Sequence, residues 1–434
     1  MVKITFLGCC REVGRSAILI ESKSGAQCIL DYGIRFKGEE RLPLKNSIDN
    51  LKAIALSHCH VDHSGGVPFL FKENDVPFFT NPLTLRISEI LLQDMIKISN
   101  YPYPFGYREL KKIRKNALFS KNGVRQKIDH EFYLTFFSAG HIPGSVSILV
   151  EVDKKKILYT GDINNQETNL IFPANPHEIP EIDALITEST YSDREHPLRE
   201  ELEKRFIENT VNTIENGGSV LIPAFGVARS QEILLVLDKY NYKNDIYIDG
   251  LARKILTEYS QFPESFKDFS RFKSAAKRAQ FVSRDKRKKM GGKSRSLIIS
   301  PSGMLKGGAA IEYIPTFLED PNSAVFLVGY QVEGTPGRKL VDEKIFEFKE
   351  KSSRAYRSRD MLIKAKCKIE YFDFSSHADK VHLNSYIHEL KFRNSSKFIF
   401  CVHGDEKSTT SFAHNLSKED YNSVAPEIGE SYVI

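Results

Sequence analysis

The chain has 434 residues, 41% hydrophobic and 27% charged, which suits a globular protein of two or three domains with sizeable cores. Its net charge of +6 permits an anionic partner without requiring one. No run of about 18 apolar residues is present for a membrane span, MVKITFLGCC lacks the apolar stretch of a signal peptide, and six cysteines without a CxxC pair exclude a disulfide scaffold and a thiol-rich zinc site. A reduced, cytoplasmic protein is the expectation.

VKITFLG, SAILIES, QCILDYG and LKAIALS read as strands, each short, apolar and bounded by glycine, serine or charge. TLRISEILLQDMIKI carries apolar residues at helical spacing behind Asn81-Pro82, a suitable helix start. EFYLTFFSAG, SVSILVEV, KKILYTGD and DALITES continue the strand pattern, so two sheets covered by helices are expected. The pattern changes near residue 195. A long amphipathic helix ends at Gly217-Gly218, and SVLIPAFG, DIYIDG, SLIISPSG and SAVFLVGY then alternate with helical segments, which predicts a parallel sheet with right-handed crossovers. The first style returns at CKIEYFDFSSH. The expected division is 1–194 and 371–434 as one domain, with 195–370 inserted into it. A basic stretch, densest at DKRKKMGGK, lies in the insertion and reads as a solvated loop that could widen an electrostatic footprint.

The strongest chemical signal is His58-Cys59-His60-Val61-Asp62-His63, directly after a buried strand. Imidazoles and a carboxylate clustered there would go unsatisfied without a common partner. In an extended segment residues two apart project to the same side, so His58 and His60 can converge on one ion while Asp62 and His63 start the next turn and reach another. Cys59 then points away and reads as a small packed residue, like Cys9 and Cys10. Glycines at 65 and 66 allow close backbone approach. His141, Asp162 and His403 sit at other strand ends. Together these residues supply a dinuclear site, and histidine and aspartate without thiolate suit zinc, with manganese as the alternative.

Ser57-His58-Cys59-His60-Val61-Asp62-His63 resembles the signature of the metallo-β-lactamase superfamily, with Asp31 in ILDYG, His141 and Asp162 matching its other motifs. The resemblance implies an αββα sandwich and two zinc ions per chain. His58, His60 and His141 would hold one ion, Asp62, His63 and His403 the other, with Asp162 between them and Asp31 orienting the ligand loop without touching metal. Two divalent ions ~3.5–4 Å apart repel by roughly 18 kcal/mol at an effective dielectric of ~20. Asp62, Asp162 and a bridging hydroxide offset most of that charge and leave about one positive unit to attract an anionic substrate.

Glu188 in LITEST, His377 in FSSHAD and His403 in CVHGD resemble the A, B and C motifs of β-CASP nucleases, which carry an inserted α/β domain of parallel-sheet type. Histidine at the third of these is similar to the RNA-processing members. CREVGRSAILIE, PAFGVARSQE, SPSGMLKGG and GYQVEGTPGR look like the cleavage and polyadenylation specificity factor endonuclease and its archaeal relatives without KH domains. The implied function is a zinc-dependent ribonuclease of the RNA 3′-end processing type, an endonuclease that could also act from the 5′ end. Its catalytic groups would be Asp62, Glu188 and His377, with hydroxide attack in line. Arg229, Ser302, Gly303 and Arg338 are the candidate RNA contacts, although Ser302-Gly303 is equally a plain strand–helix turn. The resemblance also implies an RNA substrate, no membrane, and homodimers or RNA-processing assemblies. Competing expectations are an RNase J-like 5′–3′ exoribonuclease, a non-nucleolytic metallohydrolase, and a non-catalytic RNA-binding subunit. His130, His177, His196, His382, His388 and His414 have no motif context.

Overall fold

The four opening strand patterns fold as Lys3–Phe6, Ile18–Glu21, Gln27–Leu30 and Leu51–Ala55 in the computed structural model, which describes every residue except 36–37, 46–47, 100, 352–357 and 394–395. The chain divides into two units. One is Met1–Glu195 with Ser376–Ile434, and the other is His196–Ser375.

The first unit contains two seven-stranded sheets. One has the spatial order Ser431–Val433, Lys3–Phe6, Ile18–Glu21, Gln27–Leu30, Leu51–Ala55, Phe78–Thr80, Ala117–Phe119. The other runs Asn422–Val424, Phe398–Val402, Ala184–Glu188, Lys155–Tyr159, Val146–Val152, Tyr133–Ser138, Gln126–Lys127. Alternation along each strand sends one set of side chains inward. Ile4, Phe6, Ile18, Ile20 and Leu30 meet Leu134, Phe136, Ile148, Ile157 and Phe400 in a shared core. The opposite set on the first sheet, including Leu19, Ile29 and Ile54, packs with residues of the helices Pro82–Ile98 and Tyr107–Asn116. On the second sheet Leu149, Leu158, Leu185 and Ile399 pack with residues of Lys380–Glu389 and Glu406–Ser417. The result is the four-layer αββα sandwich. As the Asn81-Pro82 pair predicts, Asn81 caps the first of these helices by accepting a hydrogen bond from the Leu83 amide.

Strand direction positions the chemistry. Gln27–Leu30 is parallel to Leu51–Ala55, and Lys155–Tyr159, Ala184–Glu188 and Phe398–Val402 are mutually parallel. Tyr133–Ser138 reaches the same direction through two antiparallel pairings. Asp31, His58, His141, Asp162, Glu188 and His403 therefore all lie at or just beyond the carboxyl ends of strands.

The second unit has a six-stranded, all-parallel sheet in the order Ala279–Phe281, Ile246–Ile248, Leu297–Ser300, Val220–Pro223, Ala324–Leu327, Lys368–Tyr371. It matches the parallel sheet that the alternating pattern predicts. A hairpin of Ile345–Lys351 and Ser358–Lys364 accompanies it. The expected boundary at 370/371 needs correction. Lys368–Tyr371 pairs with Ala324–Leu327 as an edge strand of this sheet, so the return to the first unit falls at Ser376. A short apolar strand carries no local signal of which sheet it will join. The three-residue strands Phe78–Thr80 and Ala117–Phe119 are too short to show a period and escape the sequence reading. Among the described residues no helix is long and apolar enough to cross a membrane.

Candidate metal centre

His58, His60, His141 and Asp162 bring one ligand atom each within 4.8 Å of one another, and so do Asp62, His63 and His403. Asp162 lies between the groups. Its Oδ2 is 3.4 Å from His58 Nε2 and 3.6 Å from His141 Nε2, while its Oδ1 is 3.1 Å from His63 Nε2 and 3.4 Å from His403 Nδ1. His403 Nε2 is 3.6 Å from Asp62 Oδ2 and 3.2 Å from His63 Nε2. All seven residues expected to hold metal therefore converge. Cys59 is buried and absent from these groups, as its position in the alternation predicts.

Hydrogen bonds at the far side of each ring decide which nitrogen faces the cluster. His141 Nδ1 donates to the Ser376 carbonyl at 2.8 Å, which leaves Nε2 bare. The Ser57 hydroxyl donates to Asp31 at 2.7 Å, so its oxygen can accept from His58 Nδ1 at 3.1 Å, and His58 Nε2 is also bare. These two nitrogens lie 3.2 Å and 3.3 Å from His60 Nδ1. One proton on His60 Nδ1 can serve only one of these nitrogens well, whereas a cation among the three would serve them all. Asp162 Oδ1 is buried and makes no hydrogen bond despite the imidazoles around it. A buried carboxylate oxygen without a partner is costly, and aspartate oxygen with imidazole nitrogen is a donor set that zinc accepts. The residues present thus fit a metal.

The electrostatics agree. Burial, then neighbouring imidazoles, push His58 and His141 below the usual imidazole range and bring His60 to about 3, which keeps all three neutral. Burial opposes ionisation of Asp162 and Asp62, yet the histidines around them hold both carboxyls below their ordinary range. His63 differs: burial opposes a charge on it, but Asp162 and Asp31 outweigh burial and favour a proton on Nε2, which a cation bound there would have to displace.

Asp31 holds this arrangement from behind. It accepts hydrogen bonds from the Ser57 amide and hydroxyl, from His63 Nδ1, and from the Tyr159 hydroxyl at 2.8 Å. The roles of Ser57 and Tyr159 escape the sequence reading, because both look like ordinary strand-end residues. Asp31 and His403 have left-handed φ angles of 56° and 52°, a local cost that surrounding contacts must sustain. The glycine requirement is also visible. A side chain on Gly33 would place its Cβ 1.7 Å from the Asp62 carbonyl oxygen. Asp31→Asn would remove the charge and set an amide NH2 against the one donor at Oδ1 or the three at Oδ2. We expect zinc affinity to fall about 10–100-fold, read by competition with a chromogenic chelator.

Beside the cluster, His377 Nδ1 lies 2.9 Å from both Glu188 oxygens, and Glu188 also accepts the Ile163 amide at 2.7 Å. His377 Nε2 is 4.0 Å from Asp162 Oδ2. The buried Glu188 side chain therefore fixes an imidazole whose other nitrogen faces the cluster, and the His377 side chain keeps 20% exposure. Burial alone would lower its pKa, but Glu188 and then Asp162 raise it to about 9. Such a ring is a proton donor at neutral pH.

The four expected RNA contacts lie in the second unit. Arg229 opens the helix Arg229–Lys239 but is buried, close enough to Asp373 to help lower its pKa. It is an interior charge there rather than an open surface cation. The Ser302 hydroxyl donates to the Gly307 carbonyl, and the Gly303 carbonyl accepts from Gln331, so both serve the local turn. Arg338 is half exposed and pairs with Asp342 at 2.6 Å.

Comparison with known proteins supplies the rest. Residues 11–206 match the metallo-beta-lactamase superfamily, residues 230–340 the Beta-Casp domain, and residues 362–426 the Zn-dependent metallo-hydrolase RNA specificity domain. The chain is 35% identical to RNase aCSPSF2 of Saccharolobus solfataricus, covering 98% of this chain and 84% of that one. It is 34% identical to the probable RNase MJ4 of Methanocaldococcus jannaschii over 99% of both. With the transcription termination factor FttA of Pyrococcus horikoshii it shares 32% identity over 96% of this chain and 68% of that one. A crystal structure of a protein of unknown function from Enterococcus faecalis has the same fold, with a TM-score of 0.60 at 14% identity over the whole of both chains.

Proposed function

The chain belongs to the β-CASP branch of the metallo-β-lactamase superfamily, whose matched relatives are named as ribonucleases, and from that premise we propose an RNA endonuclease that works with two zinc ions. The observation that carries the reading is Asp162, with a bare buried oxygen among the imidazoles of His63 and His403 and its other oxygen turned to His58 and His141. His58, His60 and His141 would hold one ion, and Asp62, His63 and His403 the second, with Asp162 shared. When bound, the ions would make hydroxide available near neutral pH and neutralise charge on the phosphate.

The remaining steps belong to the side chains. Asp31, Ser57 and the Ser376 carbonyl set the tautomers and keep the ligand nitrogens aimed inward. His377, charged at neutral pH, binds a phosphate oxygen or gives its Nε2 proton to the departing 3′ oxygen, and Glu188 stabilises the charged ring and fixes its orientation. Manganese is the alternative metal, and homodimerisation and association with an RNA-processing assembly extend the proposal. Burial of all six thiols accords with a reducing, cytoplasmic setting.

Circular RNA tests the endonuclease directly. The purified protein should open a circular substrate, lose that activity to a chelator and regain it with zinc. If circles stay intact while 5′-monophosphorylated linear RNA is consumed, the exonuclease reading replaces this one. Turnover of a generic thioester without RNA cleavage would favour the non-nucleolytic alternative.

A further inference from the structure

The outer edge of the first unit carries a surface that the metal centre does not use. Residues 107–127 contain eight lysines and arginines and a single acid, Glu109. The helix Tyr107–Asn116 buries Leu110 and Ile113 and turns Arg108, Lys111 and Lys115 to the opposite, exposed face. Among the described residues, Arg108, Lys111, Lys121 and Lys127 have no carboxylate in ion-pair reach, and the nearest to Lys115 is 3.9 Å away at Asp75. A run of unneutralised cations repels itself, so it is stabilised by a polyanion.

Two further observations favour a nucleic acid. The strand Ala117–Phe119 is the last of its sheet and exposes Leu118 and Phe119 at 47% and 53%. An accessible ring among cations is the combination on which unpaired bases stack. Beneath the following turn lies a cleft of about 450 Å³ lined by Asn122, Thr135, Phe137, Leu149 and Glu151. It offers an apolar floor with carboxylates, Glu151 and Glu178, that can accept from a base N–H and an amide, Asn122, that can donate to a base carbonyl. Arg125 reaches Glu151 at 2.7 Å and lies 3.4 Å over the Tyr133 ring, which places a cation beside the cleft.

The position suits the reaction. Ala117–Phe119, Phe78–Thr80 and Leu51–Ala55 are parallel neighbours. Phe119 is in register with Thr80, and the Thr80 hydroxyl donates to the Leu56 carbonyl, two residues before His58. Two strand spacings separate these levels, about 10 Å. We propose that this edge, from Arg108 to Lys127 with its adjoining cleft, is a second contact for single-stranded RNA, gripping the strand beyond the scissile phosphate and seating one base. This rests on the ribonuclease reading and adds to it a determinant of substrate length.

The test uses the full zinc-loaded chain carrying Lys111→Gln, Lys115→Gln and Lys121→Gln together, with short and long oligouridines. For the long substrate, KM should rise about tenfold with kcat unchanged, and the salt dependence of binding, read by anisotropy, should flatten by about 2 in log–log slope. The short substrate should be cleaved as before. Phe119→Ala should raise KM for the long substrate without altering the slope, and 4-thiouridine should crosslink within residues 117–151. Unchanged long-RNA parameters would overturn the proposal and leave the cations to an acidic protein partner. An equal loss on both lengths, or crosslinks elsewhere alone, would overturn it too. Because short-substrate turnover reports the metal centre and anisotropy reports this edge, either reading can fail without the other.

Discussion

Asp162→Ala is expected to strip metal from the protein and to lower RNA cleavage by at least ~10²–10³-fold. Asp162 faces both ligand groups, with Oδ2 toward His58 and His141 and Oδ1 toward His63 and His403. Removing it deletes a ligand from each group and a negative charge from a place where two divalent cations would repel. The neighbouring imidazoles of His58, His60 and His141 are held neutral and offer no negative charge in its place. Asp162→Asn separates the two contributions, because it keeps the size and one oxygen but not the charge. Metal content by mass spectrometry of the native protein, read beside cleavage of a defined RNA, should fall in both variants and further in the alanine. Full occupancy by two zinc ions in Asp162→Ala would contradict the shared role.

Much of this site can be read from the chain because its spacing is local. His58 to His63 lie within six residues, and the alternation of an extended segment sorts Cys59 from the ligands. Asp31, Asp162 and His403 are each marked by a strand that ends just before them. The resemblance supplied their roles, since nothing in spacing tells that residues from 31 to 403 will meet. What stays hidden depends on tertiary contacts. The Ser376 carbonyl that orients His141 is a backbone group, which any residue type supplies. The Tyr159 hydroxyl looks like one more aromatic at a strand end until Asp31 is found 2.8 Å away. Arg229 reads as a free cation beside a glycine-rich turn, and only the fold shows that it is buried near Asp373. Lys368–Tyr371 has the same apolar pattern whichever sheet it joins. The pairing of Ser431–Val433 with Lys3–Phe6, across nearly the whole chain length, is likewise beyond any local signal.

His377→Ala should retain the wild-type metal content yet lose about 10²–10⁴ in cleavage rate. Its Nδ1 is committed to Glu188 and it belongs to none of the ligand groups, so its loss leaves the metal-holding atoms in place. The pH dependence follows from the direction of the shift. Burial works against a charged ring, but the Glu188 carboxylate, with Asp162 behind it, carries the pKa from the ordinary 6.5 to about 9. The protonated, donating form therefore persists through neutral pH, and cleavage should decline as pH rises through the folded-state value. By the same linkage, the stability that this proton contributes is complete below the unfolded value and disappears over that upper range. Glu188→Gln keeps an oxygen for the Ile163 amide but removes the charge that holds the proton. Its rate profile should turn down at lower pH than wild type, while His377→Ala should show no such alkaline limb. A merely structural role beside the following helix would lower activity in both variants without moving the limb. Displacement of the limb in Glu188→Gln, with metal content unchanged, is therefore the result that distinguishes proton donation from packing.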